Sequence, residues 1–188
     1  MKTTILRAAT LAALISVSAF AGLSIAADNP MVGGAPMLDS KNIIENAINS
    51  KDHTTLVAAV KAAGLVETLE GKGPFTVFAP TNEAFEALPA GTVDNLLKPE
   101  NKAMLVKVLT CHVVAAKALS TDVMAMVKAD GGSHVVDTVG GCKLTLKVSG
   151  KKVTVTDETG GVANVTIADV IQSNGVIHVI DKVLLPKM

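Results

Sequence analysis

Between residues 41 and 128, apolar side chains recur at intervals of three and four positions, which is the spacing of amphipathic helices. Capping residues and glycines mark several helix ends. Asp39 or Ser40 can cap the first helix, and Gly64 follows the second. The pattern predicts helices or helical turns over residues 43–48, 54–63, 65–69, 84–88, 93–97, 100–109 and 121–128.

From residue 143 onward, apolar and polar positions alternate, which is typical of strands with one buried face. Residues 143–148 and 153–156 form a predicted hairpin that turns at Ser149 and Gly150. Further strands are predicted over residues 75–79, 111–114, 162–171 and 176–185. Because helices dominate the first half and strands the second, we predict an α+β fold with an antiparallel or mixed sheet.

The segment 75–88 joins a strand to a helix through a short corner. Pro80 ends the strand because proline lacks the N–H group that a ladder requires. Thr81 or Asn82 can cap the helix that follows, and Phe78 and Phe85 can pack against each other across the corner. For Asn82, capping is therefore preferred over contact with a ligand.

The N-terminal residues have the features of a secretory signal peptide. Lys2 and Arg7 give a basic start, Ala8–Leu23 is an uncharged apolar run, and the small residues Ser24 and Ala26 suit a signal peptidase. The run is shorter than the about 20 apolar residues of a membrane span, so a retained anchor helix is the less favoured alternative. The expected organisation is a signal peptide over 1–26, a flexible or extended leader over 27–40 and one domain over 41–187.

Composition narrows the classes of partner. The 188 residues include 17 basic and 17 acidic side chains, so charge alone attracts neither nucleic acid nor anionic lipid. The chain has no Trp, no Tyr and 4 Phe, which leaves few aromatic faces for stacking on sugars or on single-stranded nucleic acid. Nucleic acid is therefore not an expected partner.

Two cysteines, Cys111 and Cys142, would enter an oxidising compartment after export. An even number there favours a disulfide, and two separately buried thiols are the alternative. Cys111 precedes His112, which raises the question of a catalytic Cys–His pair. Because adjacent residues of the predicted strand 111–114 point to opposite faces, such a pair is not expected.

The sequence has no recognisable catalytic motif: a G-x-S-x-G elbow, a P-loop and a glycine-rich dinucleotide turn are all missing. The four histidines lack the spacing of a helical metal pair, and we expect His112 and His178 to be hydrogen-bonded core residues. A metal or haem site built from these two histidines is the alternative. Asp157, Glu158 and Asp169 are too dispersed for a calcium loop. No enzymatic activity and no cofactor are expected.

Three segments resemble the signature motifs of the fasciclin-like domain family: FTVFAPTNEAF at 75–85, LTCHVV at 109–114 and NGVIHVIDKVLLP at 174–186. They follow the family's order and separations, so the resemblance covers about Lys41–Pro186. The chain is similar to small secreted or periplasmic bacterial members that have a single domain. The motif residues, most of them expected to be structural, are Thr76, Phe78, Ala79, Pro80, Thr81, Asn82, Phe85, His112, Asn174, Gly175, His178 and Asp181.

The resemblance implies helices packed around a wedge-shaped β-sandwich, a role in adhesion or extracellular interaction, and no catalytic residues. Cys111 stands where the family often has a tyrosine beside the histidine of its middle motif. This difference weakens any transfer of the integrin binding that is connected with this region in animal members. It also favours a disulfide with Cys142, which would close a loop of about 30 residues and stabilise the fold by about 3–4 kcal/mol.

We therefore expect an exported, secreted or periplasmic binding module that recognises a protein, a matrix component or a cell surface. The alternative is a carrier of a small lipophilic ligand, since some family members hold such molecules and 49% of the residues are hydrophobic, with 7 Met. An enclosed apolar cavity of roughly several hundred Å³ would favour the carrier, and a solid core with an exposed patch would favour adhesion. No membrane span is expected after signal cleavage.

Overall fold

The structure is a computed structural model that describes residues 29–150 and 152–187. The predicted signal peptide and the first two residues of the predicted leader lie outside the described residues. The helices are α1 (Ile43–Ala47), α2 (Thr54–Ala63), α3 (Val66–Glu70), α4 (Asn82–Glu86), α5 (Thr92–Leu96), α6 (Lys102–Thr110) and α7 (Ser120–Ala129). None of these helices is long and apolar enough to span a membrane.

The strands form a small hairpin and a large mixed sheet. They are β1 (Met31–Val32), β2 (Ala35–Pro36), β3 (Phe75–Pro80), β4 (Val113–Val114), β5 (Ser133–Asp137), β6 (Lys143–Ser149), β7 (Lys152–Thr156), β8 (Val162–Gln172) and β9 (Gly175–Ile180). The sheet has the order β4-β3-β9-β8-β7-β6-β5, and the β3–β9 pair is parallel while the other pairs are antiparallel. The predicted α+β class with a mixed sheet is confirmed.

Strand β8 bends the sheet into a sandwich. Its first residues pair with β7, and the rest of the strand pairs with β9 through two register irregularities between Val165 and Val170. Asp169, within this stretch, has a φ of 60°, an uncommon conformation for a residue other than glycine. Beyond β5, Val139 N–H donates to the Val113 carbonyl of β4 at 2.7 Å, so the two ends of the sheet meet.

The paired strands β3 and β9 have a hydrophobic core on each face. On one face, Val77 and Val179 pack in a cluster with apolar residues of α1, α2, α3 and α6. On the other face, Phe78 and Ile180 pack with residues of α7, β6 and β7, including Val155, which is completely buried. Since neighbouring strand residues point to opposite faces, the continuous apolar run of these two strands supplies both cores.

Several element boundaries differ from the predictions. The N-cap of α1 is Asn42, whose Oδ1 accepts the Glu45 N–H at 2.9 Å, and neither Asp39 nor Ser40 has this role. Pro80 is still paired in β3, at the last position of the strand. Strand β5 was not predicted, because the alternation in Ser133–Asp137 is irregular.

The described part of the leader, predicted to be flexible or extended, contains a short hairpin that its Pro and Gly content did not indicate. Residues 31–36 form the β1–β2 hairpin, and Val32 and Met37 are 3% and 2% exposed in the helical core. Lys51 N–H donates to the Gly33 carbonyl, which ties the hairpin to the chain preceding α2. The helical core therefore includes apolar side chains that precede residue 41, the predicted start of the domain.

Candidate functional site

The corner between β3 and α4 connects three elements. Thr81 caps its own helix, with Oγ1 accepting the Ala84 N–H at 3.4 Å. Asn82 instead caps α2, since its Oδ1 accepts the Thr55 N–H at 3.0 Å and its Nδ2 donates to the Lys51 carbonyl at 2.8 Å. The amide of Asn82 therefore serves a helix that lies earlier in the chain.

The aromatic contact predicted at this corner is wrong. Phe78 belongs to the sandwich core and Phe85 to the helical core, because they lie on opposite sides of the β3–β9 layer. Phe78 stacks instead on the ring of His178, with ring centroids 5.8 Å apart. Ala79 lies between the two phenylalanines in sequence and is 3% exposed.

His112 is buried, and both of its ring nitrogens are engaged. The Leu184 N–H donates to Nε2 at 2.9 Å, so Nε2 must carry a lone pair. The proton is then on Nδ1, which donates to the Val108 carbonyl at 2.8 Å. Burial lowers the pKa of His112 to about 4, against the smaller opposing effects of the Val108 carbonyl and Asp157.

His178 lies beside a serine and an aspartate, and the three residues are connected in an order that differs from a catalytic triad. The Asp169 N–H donates to His178 Nδ1 at 3.3 Å, and His178 Nε2 donates to the Ala118 carbonyl at 2.9 Å. Ser120 donates its hydroxyl directly to the Asp169 carboxylate. A triad needs the imidazole between the hydroxyl and the carboxylate, and here the imidazole forms hydrogen bonds only with backbone groups. Burial also lowers the pKa of His178.

Asn174 and Gly175 connect β9 to the helical layer. Asn174 Oδ1 accepts the Ile43 N–H at 3.1 Å, and its Nδ2 donates to the carbonyls of Leu69 and Gly71. A Cβ atom at Gly175 would collide with the carbonyl oxygen of Phe75, so this close approach of β9 to β3 requires glycine.

The remaining polar motif residues also bridge separate segments. Thr76 Oγ1 donates to the Ala116 carbonyl at 2.6 Å and accepts the Ala118 N–H at 2.9 Å. Asp181 accepts both the N–H and the side-chain amide of Asn164, each at 2.7 Å. Each motif side chain with a polar group therefore has a partner inside the fold.

Cys111 and Cys142 form a disulfide with a Cα–Cα distance of 5.3 Å. Both residues are 1% exposed. The strand predicted over 111–114 begins only at Val113, because α6 continues to Thr110 and Cys111 and His112 form the turn between them. The argument from strand alternation against a Cys–His pair was therefore wrong. The reason against such a pair is instead that the Cys111 sulfur is bonded to Cys142.

Three other residues form hydrogen bonds that the sequence did not lead us to predict: Asp157, Glu158 and His53. Asp157 and Glu158, in the turn after β7, accept the N–H groups of Leu185 and Lys187. A signal for these contacts was present in the sequence. Residues 157–161 have the composition of an Asx turn. His53 is 3% exposed, and its Nδ1 lies 2.8 Å from Ser50 Oγ.

His53 is also the one described residue with a buried side-chain nitrogen that lacks a hydrogen-bond partner, its Nε2. The Ala79 carbonyl is near enough to favour the protonated ring, but burial is the larger effect and lowers the pKa of His53. Within the described chain, no group of three His, Cys, Asp or Glu side chains is placed to hold a metal ion.

Two openings differ in character. A cavity of about 70 Å³ lies in the helical core and has almost entirely apolar walls, which include Val32, Met37, Leu56, Val60, His53 and Ile177. A groove of about 640 Å³ is open to solvent and has a mixed polar and apolar lining, which includes Ser120, Lys152, Asn164, Thr166, Ala168 and Asp181. The larger opening is thus the one whose lining includes a substantial share of polar groups.

Residues 51–186 match the family described as Fasciclin domain. The chain belongs to the fasciclin domain family. The fasciclin motifs at 75–85, 109–114 and 174–186 all lie inside the matched region. The hairpin and α1 precede it, although they pack in the same helical core.

Fasciclin relatives occur in bacteria and animals. Protein sll1483 of Synechocystis sp. is 49% identical over 170 residues, which cover 90% of this chain and 87% of the relative. Immunogenic protein MPB70 of Mycobacterium bovis is 37% identical over 145 residues, which cover 74% of this chain and 66% of the relative. Human periostin is 32% identical over 144 residues, which are 76% of this chain and 16% of periostin.

The fold is shared with a solved fasciclin structure, that of a FAS1 domain pair from the insect cell adhesion molecule Fasciclin I. The TM-score is 0.68 at 18% identity, and the match covers 77% of this chain and 51% of that chain. At this identity the likeness shows the fold, and the predicted fasciclin-like architecture is confirmed.

Proposed function

We propose that the protein is an exported, non-catalytic fasciclin domain that binds a protein, a matrix component or a cell surface, in the manner of an adhesion module. The observation that carries this proposal is the division of polar groups in the site. The polar motif side chains are engaged inside the fold, whereas Lys152 on the open groove is exposed and makes no ion pair with another described residue. The structural similarity to a cell adhesion molecule supports the same function.

The histidine geometry supports the non-catalytic part of the proposal. A general base needs a lone pair that reaches a substrate, and each lone pair of His112 and His178 receives a backbone N–H. Burial lowers the pKa of both imidazoles, which keeps them neutral near pH 7. Both side chains therefore have a sufficient structural role.

Export is supported by two independent features. The N-terminal 26 residues have the basic, apolar and small-residue regions of a signal peptide. The disulfide between Cys111 and Cys142 is typical of an oxidising compartment, such as the periplasm or the extracellular space. Either compartment fits a surface-binding role.

The open groove is the docking surface that we favour. Lys152 and Asp181 place opposite charges on its lining, and Lys152 makes no ion pair with another described residue. Ala168, Val153 and Val165 add apolar area between the polar groups. Opposite charges around a small apolar area suit an extended protein segment that has charges of both signs.

A lipophilic carrier is the second candidate, favoured by the apolar walls of the cavity in the helical core. The cavity volume of about 70 Å³ argues against it, because pockets for drug-sized ligands measure roughly 300–1,000 Å³. A carrier would therefore need the helical layer to open. Adhesion requires no such change.

Binding of the processed protein to an immobilised envelope fraction of its native cells tests the function. We expect saturable binding that Lys152→Glu weakens about fivefold or more, because the substitution reverses a charge on the groove lining. Lys98→Glu is the matched control, since Lys98 is exposed and lies outside the groove, and it should bind as the parent protein does.

Two results would contradict parts of the proposal. Equal binding by the two charge-reversal variants would remove the groove as the docking surface. A lipid or pigment that remains bound to the purified protein, detected by absorbance and mass spectrometry, would favour the carrier over the adhesion module.

A further inference from the structure

The last described residues form a segment, 181–187, that we name the C-terminal strap. The chain leaves the sheet after Ile180: Asp181 still bonds to Asn164 of β8, and residues 182–187 pair with no described strand. Val183 joins the helical core and Leu184 the sandwich core, with exposures of 6% and 1%. The strap therefore covers apolar surface that belongs to both cores.

Side chains from two separate turns hold the backbone of the strap. The Leu184 N–H donates to His112 Nε2 at 2.9 Å, and the Leu185 N–H donates to Asp157 Oδ2 at 2.9 Å. The Lys187 N–H donates to Glu158 Oε2 at 3.0 Å. In a sheet these N–H groups would bond to carbonyls, which do not titrate. Here all three acceptors can bind a proton.

Protonation of His112 is incompatible with the bond to the strap. Because Nδ1 already donates to the Val108 carbonyl, an added proton must occupy Nε2. Nε2 would then present an N–H to the N–H of Leu184, and two donors cannot bond to each other. A protonated carboxyl group at Glu158 would likewise be a weaker acceptor than the carboxylate.

The charges around these contacts come from three places in the fold: the turn after β7, α6 and β6. Asp157 faces His112 from the turn after β7 and favours its protonated form, but burial has the larger effect. Bonds from the N–H groups of Lys187 and Lys143, together with the nearby Lys107 and Lys143 side chains, lower the pKa of the Glu158 carboxyl. These charges leave the contacts intact near neutral pH.

We propose that the C-terminal strap is a proton-operated latch, closed near neutral pH and released in mild acid while the rest of the sheet remains formed. The disulfide supports this separation. It fixes Cys111, and with it the neighbouring His112, to the start of β6. His112 therefore stays in place when the strap is released. Release would uncover the apolar surface beneath Val183 and Leu184.

Amide hydrogen exchange of the processed, disulfide-bonded protein tests the latch. After correction for the intrinsic exchange rate at each pH, the opening constants of the Leu184, Leu185 and Lys187 amides are compared with that of Val155, which is completely buried in the sandwich core. If release exposes His112 to water, the strap opening constant should rise up to about tenfold between pH 7 and 5.5 and on the order of 50-fold by pH 4.5.

Variants separate the imidazole from the carboxylates. His112→Gln keeps an acceptor for Leu184 but does not titrate, so the rise between pH 7 and 5.5 should disappear. His134→Gln is the control, because His134 pairs with Asp130 and does not contact the strap. Should His112→Gln fail to fold, Glu158→Gln provides a second test on a side chain that is only partly buried. It should increase exchange at Lys187 several-fold at pH 7 and leave the rise between pH 7 and 5.5 unchanged.

Three outcomes would overturn the proposal. One is a strap opening constant that does not change between pH 7 and 4.5. Another is equal opening constants for the strap and Val155 at every pH, since the strap would then open only with global unfolding. The third is an unchanged pH dependence in His112→Gln.

Discussion

At the scale of single residues, the polar motif side chains act as cross-links between segments that are far apart in sequence. Asn82 bonds to residues at the start of α2, and Asn174 bonds to α1 and to the chain at Leu69 and Gly71. Each replaces a turn or a cap that the local sequence does not supply. An amide that satisfies several backbone groups contributes more than its own bonds, because its loss leaves those groups unpaired.

Asn82→Ala tests this cross-linking role. The substitution leaves the Thr55 N–H and the Lys51 carbonyl without their partner, and we expect the free energy of unfolding to fall by about 1–3 kcal/mol. Urea denaturation followed by far-ultraviolet circular dichroism measures the change.

The control for Asn82→Ala is Asn95→Ala, on the exposed surface of α5. Alanine is a better helix former than asparagine, so this control should be neutral or slightly stabilising. Equal destabilisation by both substitutions would mean that Asn82 contributes only through general helix propensity.

The role of Asn82 also marks a limit of sequence reasoning at this scale. Capping was the preferred role for Asn82, and the structure does use it as a cap. The capped helix, however, is α2. It begins at Thr54, which bonds to Asn82 and precedes it by 28 residues. Local patterns relate residues three or four positions apart, so they favoured the adjacent helix.

At the scale of secondary structure elements, regular periodicity was the reliable signal. The predicted helix over 54–63 has the bounds of α2, and the predicted hairpin over 143–156 corresponds to β6 and β7. Prediction failed where an element depends on distant partners. β5 exists because β6 pairs with it, and the β1–β2 hairpin is held by the helical layer that buries Val32.

The disulfide connects two secondary structure elements, since it joins the end of α6 to the start of β6 across 31 positions. We expect replacement of both cysteines by alanine to lower the free energy of unfolding by about 3–4 kcal/mol, because the unfolded chain regains the entropy of the open loop. Denaturation in urea at pH 7 measures the loss.

Reduction of the parent protein provides the matched control for the disulfide. Reduced parent and double alanine variant should unfold at similar urea concentrations, both lower than that of the oxidised parent. A reduced parent as stable as the oxidised protein would contradict the expected contribution of the cross-link.

At the scale of the whole molecule, the β3–β9 pair is the shared wall of two cores, and buried histidines lie against both. His53 faces the helical core, His178 stacks on Phe78 in the sandwich core, and His112 holds the strap that enters both. The composition could not reveal this arrangement, because strand composition shows that two apolar faces exist but not which elements cover them. The family resemblance indicated helices packed around a β-sandwich, but not which elements cover each face of the β3–β9 pair.

Burial lowers the pKa of His53, His112 and His178 below the ordinary value of 6.5. For a base with a lowered pKa in the folded state, the unfolded chain binds its proton first as the pH falls. The free energy of unfolding should therefore be steady above about pH 7 and decrease from about pH 6.5 downward. With the strap closed, His112, with a pKa of about 4, alone accounts for a loss of up to about 3 kcal/mol when the pH reaches 4, and release of the strap in the folded protein reduces this loss.

Urea denaturation at pH values from 8 to 4 measures this loss of global stability. His134→Gln is the control, because the solvent-accessible pair of His134 and Asp130 should contribute little to the free energy of unfolding. The control should follow the parent protein at every pH. Stability that is constant from pH 7 to 4 would mean that the three buried imidazoles accept protons in the folded state as readily as in the unfolded chain. That result would contradict the neutral, hydrogen-bonded roles of His112 and His178, since neither geometry has room for a second ring proton.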